Sequence, residues 1–319
     1  MRKTINIIET HQTGISKRLD ELTNKDMIFR KKMQDTVGRS GSNPTWGLAF
    51  DVVGNKLKFK GEGLYKEYDY DYPNGAYAEK VASIIGRELF AGEIRVPEID
   101  VVLKSIGEPS LISYKLMNNK IEDMHHISDL MFYKFEREEL DKKKSIFKIE
   151  DILECIHVLV KDEENYKQIE KGLIKALLFD SVINNGDRHN NNWALVRNEE
   201  TNWFELAIYD HFSSCVDMIQ EQEHFTSKGW VGSYVIVGEE PKSGMRMGST
   251  GDQIIEYISK TYPEYFEEFV TDFNKKLPQI LQLIKQERLP IDFNRLETKL
   301  NRRKHMLNKL LSKGEQEYE

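Results

Sequence analysis

The chain has 319 residues, long enough for one large domain or two lobes with a sizeable core. Lys and Arg number 46 against 53 Asp and Glu, a net charge of −7, which argues against a dedicated nucleic-acid or anionic-membrane binder, since such proteins are usually basic. No run approaches the roughly 18 apolar residues of a spanning helix, the opening MRKTINIIETHQTG is too short in apolar residues for a signal peptide, and Cys155 and Cys215 form no CxxC, so neither disulfides nor a zinc site is expected. The expected location is a reducing cytoplasm, with export as an effector left open. Neither membrane association nor DNA binding of its own is expected.

In chain order, residues 15–36 are charged and read as a helix, giving a helical extension over 1–36. Residues 37–63 are rich in Gly, Asn and Ser, with two short alternating runs, LAFDVV and KLKFK, joined at Gly54-Asn55 as a hairpin. From Gly75 the spacing of Ala78, Ala82, Ile85 and Leu89 predicts a helix. VPEIDVVL and SLISYKLM follow as a second pair of strands, closing a strand-rich lobe over 37–117. The remainder, 118–319, reads as mostly helical, with helices over 121–143, 149–160, 162–184, 251–260, 262–287 (broken near Pro278) and 291–313. Residues 184–250 interrupt it with polar, glycine-containing sequence. The expected fold class is α+β, with two lobes and the site in the crevice between them.

The chemistry concentrates in FDSVINNGDRHNNNWALV and FELAIYDHFSSC. An apolar helix carrying Ile169, Leu173, Leu177 and Val182 ends at Asn184-Asn185-Gly186, and Asp187, Arg188, His189 and Asn192 follow. A hairpin, Trp193 to Val196 and Phe204 to Tyr209, returns the chain to Asp210. Phosphoryl transfer needs a carboxylate near the attacking hydroxyl and oxygen ligands for magnesium on the phosphates. Asp187 suits the first task, and the Asn192 amide oxygen with the Asp210 carboxylate suits the second. His189, between them, reads as scaffold, and His125-His126 as an ordinary helical pair. Upstream, Lys56, Lys58 and Lys60 alternate onto one face of a strand, from which a lysine can reach phosphates, held by Glu79 of the next helix. Strand position does not choose among the three. Gly38, Gly41 and Gly47 of VGRSGSNPTWG can bring backbone N–H groups close to a phosphate, but no G-K-[ST] is present and a P-loop is excluded.

These pieces, in this order, resemble the HipA-like serine/threonine protein kinases, closest to the short, free-standing CtkA-type members. The resemblance rests on the Gly/Ser loop, Leu57-Lys58-Phe59, Ala78-Glu79-Lys80 running into Val96-Pro97, the D-x-H-x-x-N of Asp187 to Asn192, and Leu206-Ala207-Ile208-Tyr209-Asp210-His211-Phe212-Ser213. It covers about residues 37–220. It implies a bilobal protein-kinase-like fold with a strand-rich N-lobe and a helical C-lobe, and an enzyme that uses ATP and Mg2+ to phosphorylate serine or threonine. Carried over, Lys58 contacts the phosphates, Glu79 holds Lys58, Asp187 is the catalytic base, and Asn192 and Asp210 hold Mg2+. Gly38, Ser40, Gly41 and Ser42 cover the nucleotide. Ser113, Tyr114, Lys115 and Leu116 form the hinge against adenine.

Family toxins modify a serine in the loop, so autophosphorylation at Ser40 or Ser42 is expected. A protein substrate of unknown identity is implied, and a protein regulator is left open. Two alternatives stand beside this reading. The D-R-H-x-x-N string also occurs in phosphoinositide kinases, and a catalytically inactive kinase fold can serve as a binding module.

Overall fold

The computed structural model describes residues 45–53, 56–67, 74–103, 109–117, 121–135, 147–211, 214–219, 235–238 and 248–317. The chain divides into two compact units, Met1–Lys80 with Glu98–Lys115 and Val81–Pro97 with Leu116–Glu319. The helix expected over 15–36 and the turn at Gly54-Asn55 lie outside the described residues.

The first unit holds a four-stranded antiparallel sheet. Its strands are β1 (Thr45–Val53), β2 (Lys56–Glu67), β3 (Ile99–Leu103) and β4 (Pro109–Tyr114), in the order β1-β2-β4-β3. Ala76, Ile99 and Leu111 form its buried apolar cluster. The expected strand KLKFK is only the start of β2, which continues through Gly61 and Gly63 to Glu67. Two glycines hide this continuation from sequence reading, because glycine is usually depleted in strands. Here close packing requires one of them: a Cβ on Gly63 would lie 2.2 Å from the Ser113 carbonyl oxygen. The β1–β2 register slips between Phe59 and Gly61, which face Phe50 and Ala49. The strict alternation expected of Lys56, Lys58 and Lys60 therefore does not carry through this point, since one extra residue shifts the period-2 count by one.

Helix α1 (Gly75–Phe90) starts where the periodicity puts it. Its later turns pack within the second unit. Phe90 meets Phe179 edge to face at 5.3 Å, and Lys276 donates to the Leu89 carbonyl at 2.7 Å.

The second unit contains β5 (Glu122–His126), α2 (Ile127–Phe135), β6 (Phe147–Lys148), α3 (Ile149–Leu159), α4 (Glu163–Ile183), β7 (Trp193–Asn198), β8 (Phe204–Ile208), α5 (Val216–Ile219), β9 (Val235–Ile236), α6 (Gly251–Thr261), α7 (Pro263–Glu287) and α8 (Phe293–Glu317). From Gly172 to Ile183 every residue of α4 is buried, as befits a helix surrounded by other elements. Asp162 caps its start, accepting from the Asn165 N–H at 2.8 Å.

Two expectations are corrected. The helix read over 121–143 begins instead with strand β5, whose Glu122, Met124 and His126 pair with Asn198, Val196 and Ala194 of β7. EDMHH has little strand propensity, and the partner strand overrides it. Residues 262–287 are not broken at Pro278, which lies inside α7. The proline costs one backbone bond, but buried Phe273, Leu277, Ile280 and Ile284 on either side keep the helix continuous.

Candidate active site

In the second unit, helix α4 stops at Asn184, which adopts the left-handed conformation (φ 59°) that asparagine tolerates. The chain then folds into short turns. The His189 N–H donates to the Asp187 carbonyl and the Asn192 N–H to the His189 carbonyl, both at 2.9 Å. The β7–β8 hairpin brings the chain back, and the Tyr209 N–H donates to the Asn192 carbonyl at 3.0 Å. Asp187, Asn192 and Asp210 are thereby gathered onto one loop system. Asn192 links the other two: its Nδ2 donates to the Asp187 carbonyl oxygen at 2.8 Å and to the Asp210 carbonyl oxygen at 3.5 Å. Both partners are pure acceptors, so the amide nitrogen must face them, and the amide presents its Oδ1 as the remaining group.

Asp210 takes a left-handed backbone (φ 56°). Such strain in a residue with a Cβ is characteristic of functional sites. Asp187 and Asp210 are both half-buried. Burial raises the pKa of the neighbouring Tyr209 phenol well above its ordinary value; the Arg188 charge opposes this, and Asp210 and Asp129 add to it. The phenol therefore stays neutral, with its hydroxyl 2.6 Å from His126 Nδ1. His125 and His126 thus belong to a strand rather than to a helix.

Among the described residues, no three His, Cys, Asp or Glu side chains form a metal-binding group. Magnesium does not need such a group, because it keeps several waters and takes one or two carboxylates plus phosphate oxygens. One carboxylate, Asp210, and one amide oxygen, Asn192 Oδ1, are hard oxygen donors that fit it.

In the first unit Glu79, the fifth residue of α1, is buried at 1% exposure. Its Oε1 lies 3.5 Å from Lys66 Nζ. The resemblance assigned this partnership to Lys58. Lys58 lies opposite Asp51 in the β1–β2 register, and the expected Lys58–Glu79 pairing falls outside the described residues. Lys66, eight residues further along the same strand, was not among the lysines sequence reading offered, because the strand was expected to stop at Lys60. Lys80, next to Glu79, is buried and donates to the Ile99 carbonyl at 2.5 Å.

Of the expected hinge, Ser113 and Tyr114 end the central strand β4, and the Tyr114 N–H donates to the Glu98 carbonyl at 2.8 Å. Lys115 is the last residue of the first unit and Leu116 opens a segment of the second. The Leu116 carbonyl accepts from Arg95 Nη1 at 2.9 Å, and Arg95 also pairs with Glu122 and Glu205. Gly38, Ser40, Gly41 and Ser42 lie outside the described residues. Sequence reading named Arg188 in this loop but gave it no role. It is fully buried inside the loop, and its contacts reach up to 23 residues along the sequence, which no local pattern reveals.

No protein-family model matches the chain, and no curated protein matches it. Solved structures do. The Helicobacter pylori proinflammatory kinase CtkA aligns with a TM-score of 0.60 at 16% identity, over 88% of this chain and 94% of that one. HipA of the Shewanella oneidensis MR-1 toxin–antitoxin system, solved with HipB and operator DNA, aligns with a TM-score of 0.51 at 12% identity, over 98% of this chain and 72% of that one. At these identities the likeness is one of fold, and this chain has the kinase-like fold of those proteins. Among the described residues no helix is long and apolar enough to cross a membrane.

Proposed function

We propose that the chain is an ATP- and Mg2+-dependent serine/threonine protein kinase of the HipA-like group. The observation that carries this reading is Asn192 bonding the backbone of both Asp187 and Asp210. It ties a base candidate and a metal-binding carboxylate to the residue whose own amide oxygen remains available.

In this reading Asp187 accepts the proton of the attacking hydroxyl. A general base must stand within hydrogen-bond reach of the proton it takes, so the placement of Asp187 by the loop is what the chemistry needs. Asp210 and Asn192 would hold Mg2+, which when bound would neutralise charge on the phosphates. Lys66, oriented by Glu79, contacts the nucleotide phosphates, a role the family resemblance gives to Lys58. Backbone groups of the segment from Ser113 to Leu116 that the sheet and Arg95 do not occupy meet adenine. The protein substrate has a serine or threonine hydroxyl, and one such substrate is the chain itself, at Ser40 or Ser42. A phosphate there adds about −1.5 to −2 charge and would repel the nucleotide.

Thermal unfolding with ATP, with and without Mg2+, tests the reading. A ligand at about 100 times its Kd stabilises by about 2.7 kcal/mol. The wild type should show a larger rise in unfolding midpoint with ATP and Mg2+ together than with ATP alone. Asp210→Ala should lose the Mg2+-dependent part, and Asn192→Ala should lose less of it, having removed no charge. An identical Mg2+ response in wild type and Asp210→Ala contradicts the assignment.

A further inference from the structure

We infer that Asp180, a carboxylate buried in the last turn of α4, is the positioning residue for the whole catalytic loop, acting through Arg188 and Asn185. The inference rests on the kinase reading above. Asp180 is 1% exposed and Arg188 is fully buried. Asp180 Oδ2 accepts from Arg188 Nε at 2.8 Å and Oδ1 from Arg188 Nη2 at 2.9 Å, a two-point fork.

The three remaining donors of that guanidinium are all directed at the metal side of the loop. Nη1 donates to the Asn192 carbonyl at 2.6 Å and to the Tyr209 carbonyl at 2.8 Å, and Nη2 meets His211 Nδ1 at 2.9 Å. Arginine has five N–H donors, and all five are engaged. Arg188 thus fixes the backbone of one metal-ligand candidate, Asn192, and the residues on either side of the other, Asp210.

The second arm runs to the base. Asp180 Oδ1 also accepts from Asn185 Nδ2 at 2.8 Å, and Asn185 Oδ1 accepts from the Asp187 N–H at 3.2 Å. One carboxylate therefore orients Asp187 by one path and Asn192 with Asp210 by the other. Stability alone does not call for this arrangement. A buried ion pair can often be replaced by well-packed apolar side chains without loss, whereas removing one partner strands the other's charge. What the pair supplies that apolar packing does not is a fixed direction for five hydrogen bonds.

The test is Mg2+-dependent ATP binding by calorimetry, with thermal unfolding as the fold control, on Asp180→Asn, Arg188→Met and the double variant. Each single variant should unfold at lower temperature, and the double variant, with no stranded charge, should recover much of that loss. Positioning should not recover. Outer-shell partners of metal sites are typically worth 10–100-fold in metal affinity, and the double variant should need about that much more Mg2+ for its half-maximal effect on ATP binding. ATP binding without Mg2+ should be unchanged. A stable double variant with the wild-type Mg2+ midpoint overturns the inference.

Asn185→Ala tests the other arm while leaving both bonds between Arg188 and Asp180 in place. Its turnover should fall about tenfold or more with an unmoved Mg2+ midpoint, in the same outer-shell range. Wild-type turnover in Asn185→Ala overturns that arm. If wild-type protein shows no Mg2+-dependent ATP binding at all, the kinase reading itself falls and takes this inference with it.

Discussion

Lys66 Nζ stands 3.5 Å from Glu79 Oε1, and the glutamate is buried at 1% exposure. A buried carboxylate is costly without a partner. Glu79 therefore gives the ammonium group of Lys66 a defined place at the start of α1, and in the proposed reading that lysine meets the nucleotide phosphates. Lys66→Met should lower phosphoryl transfer by about 10²-fold or more, on the scale of removing one electrostatic stabiliser. Lys58→Met should leave most activity. Parallel assays of the two variants check this, and an inactive Lys58→Met beside an active Lys66→Met would assign the role to Lys58.

The run of β2 past Lys60 to Lys66 shows where sequence reading reached its limit. Helices α1 and α4 were legible because their apolar residues recur at helical spacing, and Asn184 marks the end of α4. The β7–β8 hairpin and its three polar positions were legible because they are close in sequence. What escaped depends on contacts made at a distance. β5 is a strand because β7 pairs with it, β2 passes through two glycines because β4 needs close approach, and Arg188 is defined by carbonyls and a carboxylate from three segments.

The glycines of β2 differ in consequence. A Cβ on Gly63 meets the Ser113 backbone at 2.2 Å, which cannot give way without moving β4, whereas on Gly61 it meets only the Tyr114 ring at 3.0 Å. Gly63→Ala should cost about 1–3 kcal/mol, as for overpacking. Gly61→Ala should cost less, because a side-chain ring can swing aside. Denaturant titration of both variants measures the difference, and equal midpoints would contradict the close-approach account.

Acid stability should depend on Glu268. Burial pushes its carboxyl up, but the ammonium groups of Lys171 and Lys175 outweigh this and hold it below its ordinary 4.5. A carboxylate whose folded pKa is depressed contributes stability above its unfolded value and loses it as pH falls through the folded one. The loss should therefore set in below about pH 4.5. Lys175 is shifted the opposite way. Burial lowers it, but Glu268 and Glu93 raise it above 10.5, so its contribution is retained until strongly alkaline pH. Glu268→Gln should be less stable than wild type at neutral pH and should show a shallower fall between neutral and acid. Thermal midpoints measured across that range check this, and parallel curves for the two proteins would contradict it.

The claim that this chain transfers phosphate to protein hydroxyls is tested most directly with ATP labelled at its γ-phosphate. Purified wild type and Asp187→Asn would each be incubated with labelled ATP and Mg2+, alone, with a protein mixture and with phosphoinositide vesicles. Wild type should label serine or threonine, in itself or in added protein, only when Mg2+ is present. Asp187→Asn should be slower by about 10²–10⁴-fold, the usual worth of a general base. Labelling of the lipid instead of protein, or no transfer by wild type under any of these conditions, would contradict it.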